Sequence, residues 1–323
     1  MGEGKRVVAF VVARLGSSRL KAKHLRKIGN KRIIDHVLDT LKKSKFVDEI
    51  VITTTAEGEN AVFERIANQH GVSVFFYDGD TEDVVGRLNT AASRFKADIC
   101  VLISGDCPLI WVPTMDKRIR VLLSRDDLDF VGVCDKEGRK TIHEGVGVYS
   151  RRCWLKADEL SDNRFLRMHQ FPVVGLRKDM FRGECVYDDD IFYAVNHRIS
   201  VDTPADLEFM NRIYNELENE PGGFNLKNAV KLLLRKPELM KINADVHQIG
   251  LFEETKRALF VLKSDRLVDE FLKLAYNLTK DGIGVRFLLK DQAGKLKRKV
   301  EQSGYGVLQG MDNVSFDFEI VER

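Results

Sequence analysis

The feature that most constrains the fold of this chain is a short apolar run that leads into a loop rich in glycine, serine and basic residues. The run, Val7 to Ala13, is too short to cross a membrane, and its β-branched residues predict a buried strand. Residues 14–23, here called the basic loop, contain one glycine, two serines, two arginines and two lysines. Such a mixture favours a phosphate site, because glycine permits close backbone approach, hydroxyls donate hydrogen bonds and cations neutralise charge. It also fits an ordinary turn whose cations are solvated.

Strands and helices alternate after the basic loop. Runs of β-branched and apolar residues predict strands over residues 49–55, 72–77 and 98–104. Apolar residues at helical spacing predict helices over residues 33–41, 59–70 and 81–95. We expect the second helix to end at Gly71. The alternation predicts an α/β fold with a mostly parallel sheet between helices, in which ligands bind at the carboxyl ends of the strands.

Two aspartates follow predicted strands at that edge of the sheet. Asp106 comes after the strand that ends at Ser104, and Asp202 comes after a short strand that begins at Arg198. Carboxylates beside a cationic phosphate loop are placed to hold Mg²⁺, which takes one or two protein carboxylates together with phosphate oxygens. Asp106 also suits a turn before Pro108, so its interpretation stays open at this point.

The alternation is lost over residues 115–185, which predicts an inserted subdomain. Residues 171–174 and 185–187 are predicted as further strands or hairpin arms. The acidic triplet at 188–190 resembles a metal site, although a solvated turn is the favoured interpretation. From Lys256 the alternation restarts, with strands predicted over 258–262 and 285–289 and helices over 267–278 and 292–302.

Charge and cysteine usage exclude several classes of protein. The chain has 52 cations and 49 anions, with neither an acidic nor a basic tail, so we expect no nucleic-acid partner and no membrane surface. No stretch of about 20 apolar residues and no cleavable signal is seen, so a cytoplasmic location is expected. The five cysteines are scattered without a C-x-x-C pair, which argues against a disulfide framework or a zinc site.

Several separated segments resemble one family. They are residues 13–23, the acidic stretch 79–87, the segment Gly105–Leu109 and the segment Val201–Leu207. Together they resemble nucleotidyltransferases of the CMP-sugar synthetase type. The chain is most similar to the spore-coat polysaccharide cytidylyltransferase-like proteins, which are related to the CMP-sialate and CMP-KDO synthetases. The resemblance covers roughly residues 5–215, in the order and spacing of the family.

The resemblance implies a fold and a domain organisation. It implies a Rossmann-like nucleotidyltransferase domain, of the nucleotide-diphospho-sugar transferase fold, over residues 1–215. An insert at about 135–195 would serve as a dimerisation arm, so a homodimer is expected. A helical extension over 216–249 and a small α/β segment over 250–323, of unassigned role, complete the chain.

The resemblance also implies a reaction and its residues. A sugar oxygen would attack the α-phosphate of CTP and release pyrophosphate, with a sugar acid as the expected acceptor and surface polysaccharide as the destination. The implied catalytic residues are Arg19, Lys23 and Asp106. Asp106 and Asp202 would bind Mg²⁺. The implied nucleotide-binding residues are Arg14, Leu15, Gly16, Ser17, Ser18, Arg19, Lys23 and Arg87. Arg87 equally suits an ion pair on the surface of a helix.

Three departures from the family pattern concern the loop and the acceptor. Lys21 and Ala22 stand where the family has Pro-Gly, so the basic loop is expected to sit differently. Leu102 replaces an arginine, and residues 167–172 lack the acidic residue that the family carries in the insert. An unusual acceptor or a reduced activity is therefore expected. The alternatives are a catalytically degenerate nucleotide-binding homologue and, less favoured, a glycosyltransferase with the same fold.

Overall fold

The alternation of strands and helices predicted from the sequence is present in a computed structural model of the chain. The structure describes residues 4–17, 19–135, 137–162, 164–246, 257–280, 283–289, 294–303, 305–308 and 318–322. Its strands are β1 Val7–Val12, β2 Lys27–Ile28, β3 Lys31–Arg32, β4 Glu49–Thr55, β5 Ser73–Tyr77, β6 Ile99–Ser104, β7 Phe130–Cys134, β8 Val146–Ser150, β9 Gly183–Tyr187, β10 Arg257–Leu262, β11 Gly284–Leu289, β12 Gly306–Leu308 and β13 Phe318–Val321.

Helices are present at the five predicted positions, and the structure contains others that were not predicted. They are α1 Ile33–Leu41, α2 Val62–His70, α3 Val84–Arg94, α4 Val112–Ser124, α5 Arg151–Leu160, α6 Arg164–Arg167, α7 Pro172–Leu176, α8 Pro204–Leu217, α9 Leu226–Arg235, α10 Val268–Lys280 and α11 Gly294–Gln302. Gly71 ends α2 with a φ of 61°, as its position after the last apolar residue predicted. Within the described part of the chain, none of these helices has the length and apolar character needed to span a bilayer.

The chain divides into two compact units, of which the first contains residues 1–81, 87–154 and 183–247. Its sheet has the strand order β5-β4-β1-β6-β8-β7-β9. The strands β5, β4, β1 and β6 run parallel to one another, whereas β8 runs antiparallel to both of its neighbours, β6 and β7. The mostly parallel sheet predicted from the sequence is therefore confirmed.

The central strand β1 is buried on both faces, as its uninterrupted apolar run predicted. Val7, Ala9 and Val11 pack in one hydrophobic cluster with residues of α1, α2 and α4. Phe10 points to the opposite face, where its ring centroid lies 5.3 Å from that of the fully buried Trp154. Burial on both faces pins the register of β1 against β4 and β6, and so pins where the basic loop begins.

The second unit contains residues 82–86, 155–182 and 248–323. Its parallel sheet has the order β12-β11-β10-β13, and the rings of Phe260, Phe287 and Tyr305 meet in its core. The buried Glu322 accepts hydrogen bonds from the backbone N–H groups of Lys263 (2.6 Å) and Ser264 (2.9 Å). This carboxylate ties the loop after β10 to the end of β13. The predicted strands at 258–262 and 285–289 are confirmed.

Two predictions about the insert are wrong. Residues 171–174 are not a strand: α7 begins at Pro172, whose fixed φ suits the first helical position and outweighs the strand preference of the two valines after it. The second prediction, that the scattered cysteines argue against disulfides, fails at one pair: Cys134 and Cys185 form a disulfide with Cα atoms 5.5 Å apart. The parallel pairing of β7 with β9 brings these distant cysteines to one face, which their spacing in the sequence does not reveal.

We predict that Trp154→Ala lowers the free energy of unfolding by about 3–5 kcal/mol, because it removes a fully buried indole from the face of β1. Leu155→Ala is the matched control, because the side chain of this neighbouring residue is 47% exposed. It should change the free energy of unfolding by no more than about 0.5 kcal/mol. Urea unfolding followed by circular dichroism measures both. Equal losses for the two variants would contradict the placement of Trp154 in the core.

Candidate active site

The basic loop lies at the carboxyl end of β1 and is held there by backbone contacts. Ala13 N–H donates to the Thr53 carbonyl at 3.1 Å, which continues the line of β1 beside β4. Leu15 N–H donates to the Asn60 side chain at 3.0 Å, and Ser17 N–H donates to the Leu15 carbonyl at 2.8 Å. The N–H groups of Leu15 and Ser17 are thus already bonded within the protein.

Asn60 anchors the start of the loop and was not identified from the sequence. Its side chain is fully buried, and its amide nitrogen donates to the Thr55 hydroxyl at 2.8 Å while its oxygen accepts from Leu15. A buried amide satisfied on both sides holds a fixed orientation. The only sequence signal is a polar residue in the first turn of a predicted helix, which is too common to be informative.

His24 and Gly105 lock the end of the loop against β6. The buried His24 ring has its Nδ1 atom 3.0 Å from the Arg14 carbonyl oxygen. A Cβ atom on Gly105 would lie 2.7 Å from the Val12 carbonyl oxygen and 3.0 Å from the His24 ring. Residue 105 therefore has to be glycine for the segment that carries Asp106 to reach this position.

Ala22 keeps the basic loop in the backbone conformation that glycine favours. Its φ is 51° and its ψ is 41°, in the left-handed region that alanine rarely adopts. The alanine that replaces the family's glycine thus adopts a conformation suited to glycine, and the expectation that the basic loop sits differently from that of the family stays a prediction. The substitution is accommodated as local strain, and Lys23 follows directly in a short 3₁₀ turn.

Lys23 brings the two predicted metal-binding aspartates together. Its Nζ atom lies 2.8 Å from Asp202 Oδ1 and hydrogen-bonds to Asp106 Oδ2. The segments that carry the aspartates are also joined directly, since Val201 N–H donates to the Asp106 carbonyl at 3.0 Å. Two carboxylate oxygens thus converge on one cationic group at the carboxyl edge of the sheet. The side chains of Lys23, Asp106 and Asp202 are each 14–17% exposed.

Two arginines complete this cluster, and one of them was missed. Arg19 reaches Asp202 Oδ1 at 3.1 Å, as expected for a loop cation. Arg198, not identified from the sequence, contacts Asp202 Oδ2 at 2.5 Å and Asp206 at 2.9 Å, and only 8% of its side chain is exposed. Asp206 also makes the capping box with Thr203 that opens α8. One aspartate therefore both caps the helix and orients the arginine.

The pKa values of the cluster favour its ionised form. Burial would lower the pKa of Lys23, but the charges of Asp106 and Asp202 outweigh it and raise that pKa above the ordinary value. Burial would raise the pKa of Asp202, but Lys23 and the two arginines lower it to about 2. Lys23 and Asp202 are thus charged at neutral pH, and the oxygen donors present are those that Mg²⁺ prefers.

The remaining predicted site residues are placed less closely. Arg14 is exposed at the start of the loop, Leu15 packs on the core and Gly16 is exposed. Ser18 lies outside the described residues. Arg87 is buried, with 1% exposure, so neither the expected nucleotide contact nor a surface ion pair describes its position.

The acidic triplet does not form a metal site. Asp188 is buried and bonds His143 at 2.9 Å, whereas Asp189 pairs with Lys227. Asp190 pairs with an arginine of the insert at 3.0 Å. Because the three carboxylates point to different partners, they do not share a cation. Over the residues that the structure describes, no group of three or more Asp, Glu, His or Cys side chains is arranged to bind a metal.

We predict that Ala22→Gly raises the free energy of unfolding by about 1 kcal/mol, because glycine adopts a φ of 51° without strain. Ala56→Gly is the control: this exposed loop alanine is outside the set with positive φ, so added freedom of the unfolded chain should lower stability. Thermal unfolding of both variants measures the difference. A loss of stability at both positions would be inconsistent with a left-handed Ala22.

We predict a fall in stability below pH 6.5 that depends on His24. Burial lowers the pKa of His24 to about 4, against the opposing charge of Asp106, whereas the unfolded chain titrates near 6.5. Above pH 6.5 this contribution to stability is fully present. As the pH falls toward 4, the histidine is protonated in the unfolded chain but not in the folded protein. The free energy of unfolding therefore falls, by about 2 kcal/mol at pH 4.5.

His24→Asn tests this prediction, because its amide can replace the donor to the Arg14 carbonyl but does not titrate. Urea unfolding at pH 7.5, 6 and 4.5 should show a smaller fall for the variant than for the native protein. The half-buried His36, whose pKa burial also lowers, contributes equally to both proteins. Identical pH dependence in the two proteins would contradict a neutral, buried His24.

Comparison with known proteins agrees with this fold and site. The sequence model of the cytidylyltransferase family matches residues 8–214. The spore coat polysaccharide biosynthesis protein SpsF of Bacillus subtilis is 22% identical over 242 residues, which is 72% of this chain and 95% of that protein. The 3-deoxy-manno-octulosonate cytidylyltransferase of Bdellovibrio bacteriovorus is 30% identical over 124 residues, 38% of this chain and 49% of that protein.

A solved structure shows the same fold. The cytidylyltransferase from Leptospira borgpetersenii superposes with a TM-score of 0.66 at 24% sequence identity, over 76% of this chain and 99% of that one. The matched family segment contains the basic loop, Asp106, Arg198 and Asp202, so the clustered residues belong to the shared domain. This chain is a member of the cytidylyltransferase family and a nucleotidyltransferase.

Proposed function

We propose that this nucleotidyltransferase moves a cytidylyl group from CTP to an oxygen of a sugar acid and releases pyrophosphate, for surface polysaccharide synthesis. The observation that carries the proposal is the convergence of Asp106 and Asp202 on Lys23, beside the basic loop at the carboxyl edge of the sheet. The names of two relatives, one in spore coat polysaccharide biosynthesis and one a 3-deoxy-manno-octulosonate cytidylyltransferase, support the class of acceptor.

The chemistry of the cluster suits nucleotidyl transfer. This reaction needs positioning of the reacting oxygen and neutralisation of charge on the leaving group more than it needs covalent chemistry. Arg19 and Lys23 are cations of the basic loop that reach the cluster, and they would bind the departing pyrophosphate. Arg14, exposed at the start of the same loop, would contact the outer phosphates.

Asp106 and Asp202 would hold Mg²⁺, because their oxygens already share one cationic partner and Mg²⁺ accepts two protein carboxylates. A bound Mg²⁺ supplies charge neutralisation at the α-phosphate. Arg198, fixed by Asp206, keeps the Asp202 carboxylate oriented toward that position. The homodimer and the cytoplasmic location implied by the sequence remain predictions.

We predict that Asp106→Asn and Asp202→Asn each lower pyrophosphate release by more than about 100-fold, since each removes one negative charge from the proposed metal site. Asp189→Asn is the control, because that carboxylate is 61% exposed and pairs only with Lys227 among the described residues. The assay couples pyrophosphate release to CTP, MgCl₂ and a panel of eight- and nine-carbon sugar acids.

The same panel separates the alternatives. Binding of CTP in the presence of Mg²⁺, seen as a rise in melting temperature without turnover for any sugar, would favour a degenerate homologue over the proposed enzyme. Absence of both CTP binding and pyrophosphate release would contradict the proposal. Binding of an intact nucleotide sugar in preference to CTP would indicate a glycosyltransferase.

A further inference from the structure

Lys23 lies at the point where the oxygens of the two proposed metal-binding aspartates meet. Its ammonium hydrogen-bonds to Asp106 and lies 2.8 Å from Asp202, and only 14% of its side chain is exposed. A cation between two carboxylates takes the place in which a second cation would otherwise be bound. Lys23 and a metal ion therefore compete for the same pair of oxygens.

The charges around this point are balanced by the protein itself. Three cations, Lys23, Arg19 and Arg198, are linked by ion pairs to three carboxylates, those of Asp106, Asp202 and Asp206, so that +3 and −3 sum to zero. A divalent cation that entered beside an undisplaced Lys23 would add two positive charges to a neutral cluster. Repulsion at this short range, in a half-buried site, opposes such entry.

Arg198 and Lys23 differ in how firmly they are held in the cluster. Arg198 is 8% exposed and bonded to both Asp202 and the fully buried Asp206, so it stays in place. Lys23 has no carboxylate partner among the described residues other than Asp106 and Asp202, and it ends a flexible four-carbon stem in the basic loop. Of the two, Lys23 is the cation that a polyanion can draw away.

We propose that Lys23 is an internal counter-ion that excludes divalent metal from the site until a triphosphate draws it aside. Metal binding is then conditional on nucleotide, and the protein takes the metal and the triphosphate together. The part that involves nucleotide rests on the proposed function. The exclusion of metal by Lys23 rests only on the geometry of the cluster.

Direct metal binding without nucleotide tests the exclusion. Mn²⁺, a spectroscopic substitute for Mg²⁺, is titrated into the full chain and followed by electron paramagnetic resonance. Lys23→Met should bind Mn²⁺ at least tenfold more tightly than the native protein, because the carboxylates lose their competing cation. Lys21→Met, two residues away on an exposed loop position, should leave the affinity unchanged.

Two further variants locate the effect. Lys23→Arg keeps the positive charge and should bind Mn²⁺ as weakly as the native protein. Addition of Asp106→Asn to Lys23→Met should abolish the gain, which places the new metal at this pair of carboxylates. Circular dichroism confirms that each variant is folded. Folded Lys23→Met with unchanged Mn²⁺ affinity would overturn the proposal, as would a gain that survives Asp106→Asn.

Coupling between metal and nucleotide tests the second part. CTP affinity is measured with and without Mn²⁺, corrected for the Mn²⁺–CTP complex in solution. The factor by which Mn²⁺ strengthens CTP binding should be at least tenfold smaller in Lys23→Met, because coupling is reciprocal and the variant binds metal alone. Equal coupling in both proteins would overturn this part.

The two proposals fail in distinguishable ways. If the native protein binds no CTP but Lys23→Met gains Mn²⁺ affinity, the counter-ion role stands and the proposed function fails. If CTP binds and is turned over but Lys23→Met shows no gain, the proposed function stands and Lys23 is not the excluding cation.

Discussion

The parallel pairing of β1 with β6 is the constraint on which the site depends. It aligns Val12 with Ser104, so that the basic loop and the segment Gly105–Asp106 leave the sheet side by side. Close approach of these two segments requires glycine at 105, whose missing Cβ leaves room for the Val12 carbonyl and the His24 ring. Because β1 is buried on both faces, a shift of its register would move a whole apolar face into the wrong layer.

Positions around the site are fixed by buried polar groups that do no chemistry themselves. Asn60 holds the start of the basic loop, His24 holds its end, and Asp206 orients Arg198. Asn60, His24 and Asp206 each have backbone, hydroxyl or charged partners, which gives the loop a defined place. The strained Ala22 is tolerated within this frame, since the anchors on both sides determine the path of the loop.

The charged groups of the site come from several different elements of the fold. The basic loop provides Arg19 and Lys23, and the segments after β6 and before α8 provide the carboxylates. Arg198 links Asp202 to the capping box of α8. Lys23 contacts both carboxylate-bearing segments. Lys23 therefore keeps the cluster electrically neutral, and its position also affects how tightly the site binds cations and anions.

The sequence identified the motifs that carry the chemistry along the chain, but it did not show which distant residues meet in space. The apolar run of β1, the composition of the basic loop and the position of Asp106 after β6 are local properties, and local pattern is enough to detect them. The short strand predicted before Asp202 is wrong, because residues 198–202 form neither strand nor helix. Local pattern also mispredicted Phe171–Val174, where Pro172 begins a helix, and the pair Cys134 and Cys185, which only the pairing of β7 with β9 brings together.

By itself, the sequence determined the alternating α/β pattern, the family and the residue types at the edge of the sheet, because periodicity and short motifs are written along the chain. Only the tertiary structure decided that Lys23 lies between the two aspartates, that Arg198 belongs to the cluster and that Arg87 is buried. These facts depend on side chains from distant segments meeting at one point. Their charges and burial then act on one another over a few ångströms, a distance that has no counterpart in sequence spacing.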